Sequence, residues 1–209
     1  MRTRPPAPRL RRLAWRTGPA TVFLLAVAGA LSGCATLASV LALTQVDFDL
    51  ESVGRVELAG VDLTRVQGYD DLSALDALRV GTALARGALP LELTLNVRAD
   101  NPPENPEARL VGLDWDLFLE GRRTVGGGLS QAFVLPSGQA TRVPVEIRLD
   151  LLEFFEGSAR DLVNLAAGLA GVGGQPVAIR LDATPTVDTP LGPIRYPRPL
   201  SMGTSVGGS

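Results

Sequence analysis

The chain has 209 residues, with 20 Arg, a single Cys at position 34, and neither Lys nor His. These absences exclude a Ser-His-Asp triad, a Schiff-base lysine, an intrachain disulfide and every multi-cysteine zinc site, and the sequence predicts no cofactor. Six Arg lie within the first 16 residues, which leaves 14 against 22 Asp and Glu beyond them, a net charge of −8 that argues against nucleic acid as a partner.

The first 33 residues are predicted to be an export signal. Residues 1–17 are basic and contain no acid, and an uncharged apolar run follows from Gly18 to Leu31. This order of a basic segment and a short apolar segment is typical of secreted bacterial proteins. The run ends in the tetrapeptide Leu31-Ser32-Gly33-Cys34.

The tetrapeptide resembles the bacterial lipobox, in which the signal is cleaved before a cysteine that carries a diacylglyceryl group. The resemblance implies lipidation of Cys34 and attachment to membrane lipid through its acyl chains, with residues 34–45 as a tether. The alternative is an uncleaved membrane helix, because the run from Ala20 to Leu43 is long enough to span a bilayer.

Two elements are predicted before residue 90. From Val46, apolar residues alternate with polar ones until Gly60 shifts the phase, which indicates either two strands or one strand with a bulge. Ser73 and Asp76 then match a capping box that opens a helix to about Arg86. We expect Leu75, Leu78 and Leu84 near one face of this helix, with Gly87 ending it.

The central stretch from Pro90 to Leu151 predicts a β-meander. Its four segments alternate between apolar and polar residues with period 2, as strands buried on one face do. The inward rows are Leu91, Leu93, Leu95 and Val97; Val111, Leu113, Trp115, Leu117 and Leu119; and Val143, Val145, Ile147, Leu149 and Leu151, with a weaker row of Leu129, Gln131, Phe133 and Leu135. Glu120, Gly121 and Arg122 suit a tight hairpin between the second and third segments.

The remaining residues predict a helix, a strand and a disordered tail. Ser158 to Asp161 match a second capping box, opening an amphipathic helix that ends at Gly171. A strand through Val177 to Leu181 follows, while Thr189 to Leu200 is too rich in Pro for more than an edge strand. We expect a folded domain over residues 46–200 and a disordered tail over 201–209.

A single sheet with one apolar face needs a second layer, so the inward rows predict a mainly β protein built as an antiparallel β-sandwich with two added α-helices. In this sandwich Trp115 belongs to an inward row and is expected in the core rather than as a binding platform.

Three segments resemble the late embryogenesis abundant (LEA) type 2 family, whose module is also called the water stress and hypersensitive response (WHy) domain. A strand runs into Asn101-Pro102, a strand ends in a Gly hairpin, and a Leu-Pro-Ser-Gly turn with Pro136 and Gly138 leads into a Val-Pro-Val strand. The resemblance implies an immunoglobulin or fibronectin III-like sandwich. It further implies an exported, non-enzymatic protein associated with desiccation and stress, with Asn101, Pro102, Pro136 and Gly138 as family motif residues at turns.

Several carboxylate pairs are candidates for chemistry. Asp114 and Asp116 lie on one face of a predicted strand, about 7 Å apart, which permits a carboxylate-dependent hydrolase. Because both alternate with an apolar row, we favour a solvated strand face. Asp70-Asp71 favours a helix N-terminus over a site, and a calcium site from pairs such as Asp47 and Asp49 is a weaker alternative.

Taken together, the sequence predicts a non-enzymatic, lipid-anchored cell-envelope protein that binds or protects envelope components under stress. Its partners would be membrane lipid and an envelope protein or lipid, and no nucleic acid. With Ala35 after the cysteine, the predicted location is the outer membrane facing the periplasm, or the plasma membrane if there is one membrane. The alternative is a periplasmic carrier or assembly module that binds a lipid or hydrophobic segment between its helices and sheet.

Overall fold

The structure is a computed structural model that describes residues 46–129, 131–173, 175–188 and 192–207. The predicted signal and tether, including Leu31, Ser32, Gly33 and Cys34, lie outside these residues. The described strands are β1 Asp47–Leu58, β2 Val61–Asp62, β3 Pro90–Asn101, β4 Ala108–Leu119, β5 Arg122–Leu129, β6 Phe133–Leu135, β7 Gln139–Asp150, β8 Val177–Val187, β9 Ile194–Arg195 and β10 Leu200–Val206. The helices are α1 Ala74–Ala85, α2 Leu151–Phe154 and α3 Ala159–Leu169, and a 3-10 turn covers Tyr69–Asp71.

The strands form two antiparallel sheets, which confirms the predicted sandwich. The predicted meander is wrong, because β3 and β7 pair with each other in one sheet while β4, β5 and β6 lie in the other, where they can close the core from the opposite side. One sheet has the order β2-β1-β3-β7, and the other has the order β10-β8-β4-β5, with β6 paired to β4 and β9 to β8. In immunoglobulin nomenclature β1, β3 and β7 take the places of strands A, B and E, while β5, β4, β8 and β10 take those of C′, C, F and G.

Two hairpins follow directly from local sequence. Leu119 pairs with Arg122, and the two residues between them, Glu120 and Gly121, have φ of 50° and 73°. Two consecutive residues with positive φ form the two-residue turn whose backbone twist matches that of the paired antiparallel strands. Ala59 and Gly60 repeat this geometry between β1 and β2, with φ of 50° and 77°, so the two-strand alternative at Gly60 is the correct one.

The sandwich has two different ends. Asp47, where β1 begins, pairs with Asp100, so the chain enters the domain beside the loop after β3; we call this the Asn101 end. At the opposite end α1 leads into β3 and α2 follows β7, so we call it the helical end. Strands of 12 residues separate the two ends by about 40 Å.

The inward rows of both sheets form one apolar core. The rows predicted for β3 and β7 are buried, and so is the row of β4 from Leu113 to Leu119. Val111 is only half-buried, because a register shift between Leu110 and Gly112 turns Leu110 into the core instead, and of the weaker row only Leu135 is buried. The alternate apolar residues of β8 from Val177 to Val187 are buried as well. Trp115 is 9% exposed, which confirms its place in the core. α3 covers part of this core with Leu162, Val163 and Ala166, each at most 2% exposed.

Both long helices begin where their capping residues predict. The Ser158 hydroxyl accepts a hydrogen bond from the Asp161 N–H, and the Asp161 carboxylate accepts one from the Ser158 N–H, which is a complete capping box. Ser73 caps α1 in the same way by accepting from the Asp76 N–H. α1 ends at the residues predicted, with Arg86 as its cap and Gly87 at φ 72°.

The predicted inner face of α1 is wrong. Leu75 and Leu78 are 57% and 65% exposed, while Val80 faces the protein at 1% exposure. The helix has apolar residues around most of its circumference, so periodicity did not define one face. The position of α1 on its neighbours selected Val80 instead.

The predicted disordered tail is also wrong over most of its length. Leu200–Val206 form β10, which pairs with β8 from Ala183 to Val177 and buries Met202. The segment is rich in Gly and Ser and has weak strand propensity of its own. It becomes a strand because the edge of β8 offers a ladder of backbone hydrogen bonds and a pocket for Met202.

Candidate functional site

The motif residue Asn101 is a buried structural joint at the Asn101 end. Its side chain is fully buried, and Nδ2 donates to the carbonyl oxygens of Leu135 at 2.8 Å and Pro106 at 3.1 Å. Its Oδ1 accepts a hydrogen bond of 3.0 Å from Nδ2 of Asn105. One buried amide thus supplies hydrogen bonds to backbone carbonyls of two different loops.

The remaining motif residues meet at the same joint. The Pro102 carbonyl accepts from the Asn105 N–H at 3.1 Å, which closes the turn after β3. The turn at Pro136 and Gly138 lies against it, because the Ser137 hydroxyl donates to the Pro103 carbonyl at 3.0 Å. Gly138 has φ 70°, which favours glycine, and it lies against the Pro103 ring, which a Cβ at this position would meet at 3.4 Å. The structure therefore brings the four predicted motif residues together as a latch between two loops.

Asp114 and Asp116 project from the outer face of β4, and each has an arginine partner. Asp114 Oδ2 lies 2.7 Å from Arg195 Nη1, and Asp116 Oδ1 lies 2.5 Å from Arg123 Nη2. A carboxylate that acts as a general acid or nucleophile is usually desolvated or freed toward a substrate. These two side chains instead lie half-exposed in surface ion pairs, as expected for a solvated strand face.

A shallow polar cleft of about 370 Å³ lies beside these carboxylates on the outer face of the β4 and β8 strands. Asp182 and Thr184 of β8 form one side of it, and Arg195 and Pro199 another. The Ser201 hydroxyl donates to Asp182 at 2.6 Å. Acids and cations are thus already paired with one another, and a ligand would have to replace these contacts.

Three consecutive glycines of β5 accommodate the side chains of β4. Trp115 pairs with Gly127 across the ladder, and its ring lies where a Gly127 side chain would be, with Cζ2 only 2.4 Å from that position. Asp116 and Asp114 lean over Gly126 and Gly128 on the other face, at 2.6 Å and 3.2 Å from the corresponding positions. The glycine run therefore has a packing role that its composition did not predict.

The helical end contains a second cluster, which ties the 3-10 turn to α3. Arg160 forms two hydrogen bonds with the Asp70 carboxylate and lies over the Tyr69 ring, 5.1 Å from its centroid. Asn164 Oδ1 accepts from the Tyr69 N–H at 3.0 Å, and a side chain at Gly68 would clash with that oxygen. A polar cleft of about 400 Å³ lies between the turn and the helix.

The electrostatics of this cluster follow from these contacts. The hydrogen bond from Arg160 holds the pKa of Asp70 below its usual value, and the carboxylate raises the pKa of the Arg160 guanidinium. Hydrogen bonds from Ser158 likewise lower the pKa of Asp161 at the start of α3. Asp70 was predicted to favour a helix N-terminus, but its partner is a side chain 90 residues away that no local signal identifies.

Two features are absent from the part of the chain that the structure describes. None of the helices in that part of the chain is long and apolar enough to cross a membrane. Within the same residues, no group of three or more Asp, Glu, Cys or His side chains is arranged to hold a metal ion. Asp47 and Asp49 belong to the described residues and lie on β1 opposite Asp100 and Arg98.

The described residues define the fold class of this chain, an antiparallel β-sandwich with added helices. No protein-family model and no curated protein matches the sequence. The chain is similar to a solved protein from Archaeoglobus fulgidus, with 11% identity, a TM-score of 0.36, and coverage of 76% of this chain and 98% of that one.

Two solved Arabidopsis thaliana proteins are also similar. One has 15% identity, a TM-score of 0.39, and coverage of 56% of this chain and 70% of that one. The other, which carries a provisional late embryogenesis abundant (LEA) designation, has 13% identity, a TM-score of 0.40, and coverage of 88% and 87%.

Proposed function

We propose that this chain is a non-enzymatic protein of the cell envelope, anchored by acyl chains on Cys34 and acting by binding or protecting envelope components, as the resemblance to LEA type 2 proteins implies. The signal pattern and the lipobox-like tetrapeptide support the anchor. Two or three acyl chains would hold the domain at a membrane, since each buried methylene contributes about 0.8 kcal/mol.

The observation that carries the proposal is where the chain enters the sandwich. Asp47 pairs with Asp100, so the residues after Cys34 lead into the Asn101 end. A tether over 34–45 spans at most about 40 Å when extended. Such a tether is as long as the sandwich itself, so it would hold the domain near the membrane and leave the helical end accessible to other molecules.

The surface carboxylates support binding over catalysis. Asp114 and Asp116 are occupied by Arg195 and Arg123 in half-exposed ion pairs, which is a poor setting for acid or base chemistry. A loop end closed by the Asn101 latch and faces covered with paired charges suit a stable, well-hydrated binding module.

The alternative proposal is a carrier for lipid or a hydrophobic segment held between the helices and the sheet. Such a carrier needs space under its helices. α3 packs directly on the core there, with Leu162 2% exposed and Val163 and Ala166 fully buried. Mass spectrometry of organic extracts from the purified protein separates the two proposals: one lipid retained per chain, beyond the acyl chains, would favour the carrier.

The anchor is tested in a two-membrane bacterium that expresses the full chain. Wild type should incorporate radiolabelled palmitate and fractionate with the outer membrane, whereas Cys34→Ser should lose both. A matched control combines Cys34→Ser with Ser39→Cys, which keeps one thiol in the same region but moves it five residues from the tetrapeptide. Labelling of this control, or an unlabelled wild type in the membrane with its N-terminus intact, would contradict lipidation and favour the membrane helix.

The protective role is tested separately by survival after drying and rehydration. Cells with wild-type protein should survive better than cells with empty vector, and Cys34→Ser should lose most of the benefit. Equal survival of wild type and vector, with palmitate incorporated normally, would reject protection and leave the anchor standing.

A further inference from the structure

Helix α1 presents an apolar face to solvent at the helical end. Leu75 and Leu78 are two of the three large hydrophobic residues exposed in the described part of the chain. Ala74, Gly81 and Ala85 share that exposure. A helix that is apolar on its solvent-facing side as well as on the side facing the core needs a further partner to bury the solvent-facing residues.

Among the described residues, no contact requires a glycine at position 81. It lies in the middle of α1, where glycine is about 1 kcal/mol less favourable than alanine. A side chain at this position would meet nothing within 4 Å. Its backbone needs no glycine, because it is not among the residues with positive φ. A glycine on an exposed helix face allows close approach of another backbone.

The solvent-facing residues of α1 along one line, which we call the outer stripe, are complementary to the same residues of a second copy when the two helices run antiparallel. Ala74, Leu78, Gly81 and Ala85 are spaced by four, three and four residues, which is the a and d spacing of a coiled-coil seam. A two-fold axis between residues 79 and 80 places each Leu78 against Gly81 of the other copy, and each Ala74 against Ala85. The large side chain of one helix then fills the gap on the other.

The charges of the helix ends agree with this orientation. The N-terminal end has Asp71 just before it and Asp76 in its first turn, and the C-terminal end carries Arg86. Antiparallel pairing in this register places Arg86 beside residue 73 of the second copy, between those two acids. Opposed helix dipoles favour the same arrangement.

We propose that α1 is a self-association surface, through which a second copy of this chain packs its own α1 antiparallel across Leu78 and Gly81. A lipid surface explains the stripe less well, because a membrane gives no reason for Gly81, and Asp71 and Asp76 would repel anionic headgroups. The contact covers one helix face and is small, so we expect reversible dimers that form readily where copies are concentrated together. The proposal does not depend on acylation of Cys34.

The orientation is tested by cross-linking full-length chains in the Cys34→Ser background, where an introduced cysteine is the sole thiol. Two differently tagged copies carrying Ala74→Cys and Ala85→Cys are co-expressed and treated with a short bismaleimide. Antiparallel pairing brings residues 74 and 85 of different copies together, whereas two residues 74 lie about 16 Å apart along the helix axis. The mixed pair should cross-link at least tenfold more than either variant with itself.

The same assay is repeated with substitutions in the seam. Leu78→Asp and Gly81→Leu should each lower the mixed cross-link at least tenfold while the far-ultraviolet circular dichroism stays unchanged. Val134→Asp is the matched control, because Val134 is the third exposed large hydrophobic residue, 48% exposed, and lies near the Asn101 end. It should leave the cross-link unaltered.

Three outcomes would overturn the proposal. The first is equal cross-linking of mixed and identical pairs, the second is a mixed cross-link that survives Leu78→Asp, and the third is absence of any cross-link. A fluorophore at residue 78 that is quenched by brominated lipids would assign the face to a membrane instead. Because Cys34 is absent throughout, none of these outcomes bears on the anchor.

Discussion

Replacing Gly127 by alanine should damage the core through one identifiable contact. The new methyl group would lie 2.4 Å from Cζ2 of Trp115, with two further ring atoms at 2.9 Å and 3.0 Å. Ordinary van der Waals contact begins near 3.4 Å, so the ring must move by about 1 Å. Because Trp115 is packed in the core, this shift displaces its neighbours, and overpacking of this kind costs about 1–3 kcal/mol.

A double-mutant cycle isolates this contact. Trp115→Ala alone should lower the free energy of unfolding by about 3–5 kcal/mol, because it leaves a large cavity. Once the ring is gone, the added methyl meets no ring atoms, and Gly127→Ala should be neutral or stabilise the strand by up to about 1 kcal/mol. The double variant should therefore be less destabilised than the sum of the two single variants, by at least about 1 kcal/mol.

The assay is urea unfolding followed by far-ultraviolet circular dichroism for the four members of the cycle. Gly112→Ala is the control, since a side chain at Gly112 on β4 would meet its nearest neighbour at an ordinary 3.6 Å. It should change the free energy by less than about 1 kcal/mol. If Gly127→Ala costs the same with and without the Trp115 ring, the packing account of the glycine run is refuted.

Three further predictions concern other regions. Asn101→Ala should lower the free energy of unfolding by about 2–4 kcal/mol, because two carbonyls lose their donor in a buried site. Asn96→Ala is the control at a half-buried position and should cost about 1 kcal/mol or less. If urea unfolding shows that Asn101→Ala costs less than about 2 kcal/mol, the latch is contradicted. Asp70 is kept ionised by Arg160, so its contribution to stability is present above its unfolded pKa near pH 4 and is lost as the pH falls through its lower folded pKa. Thermal unfolding between pH 2 and 7 should show a shallower acid decline for Asp70→Asn than for wild type, and identical declines would show that the ion pair has no effect. Gly81→Ala should raise the free energy of unfolding by up to about 1 kcal/mol yet weaken self-association, and a dimer strengthened along with the fold would argue against close backbone approach.

The sequence by itself determined the parts of this protein that depend on near neighbours in the chain. The strands β3, β4 and β7 follow from alternation that buries one face, and the hairpin at Glu120 and Gly121 follows from residues that accept positive φ. Helix starts at Ser73 and Ser158 follow from side chains that satisfy free N–H groups one turn away. Two sheets with one apolar face each can bury both faces by packing on each other, which is why the alternation pointed to a sandwich.

The candidate site was predicted only in outline. Asn101, Pro102, Pro136 and Gly138 were identified as turn residues, and they do form turns. The latch they build depends on Leu135, which lies 34 residues from Asn101, so the pairing exists only after β3 and β6 have taken their places around β4. Residue type fixed the turn, while the position of the second loop decided that the amide would be buried and fully bonded.

Tertiary structure alone decided the outward turn of Leu78, the partner of Asp70 and the strand at Leu200–Val206. Each depends on a surface supplied by a distant part of the chain: the position of α1 on its neighbours, Arg160 on α3, and the free edge of β8. Local propensities there are weak or ambiguous, amounting to about 1 kcal/mol or less per residue. Burial of side chains and completion of a hydrogen-bond ladder outweigh such preferences. Both arise only when the two distant segments are in contact, so the local sequence does not reveal them.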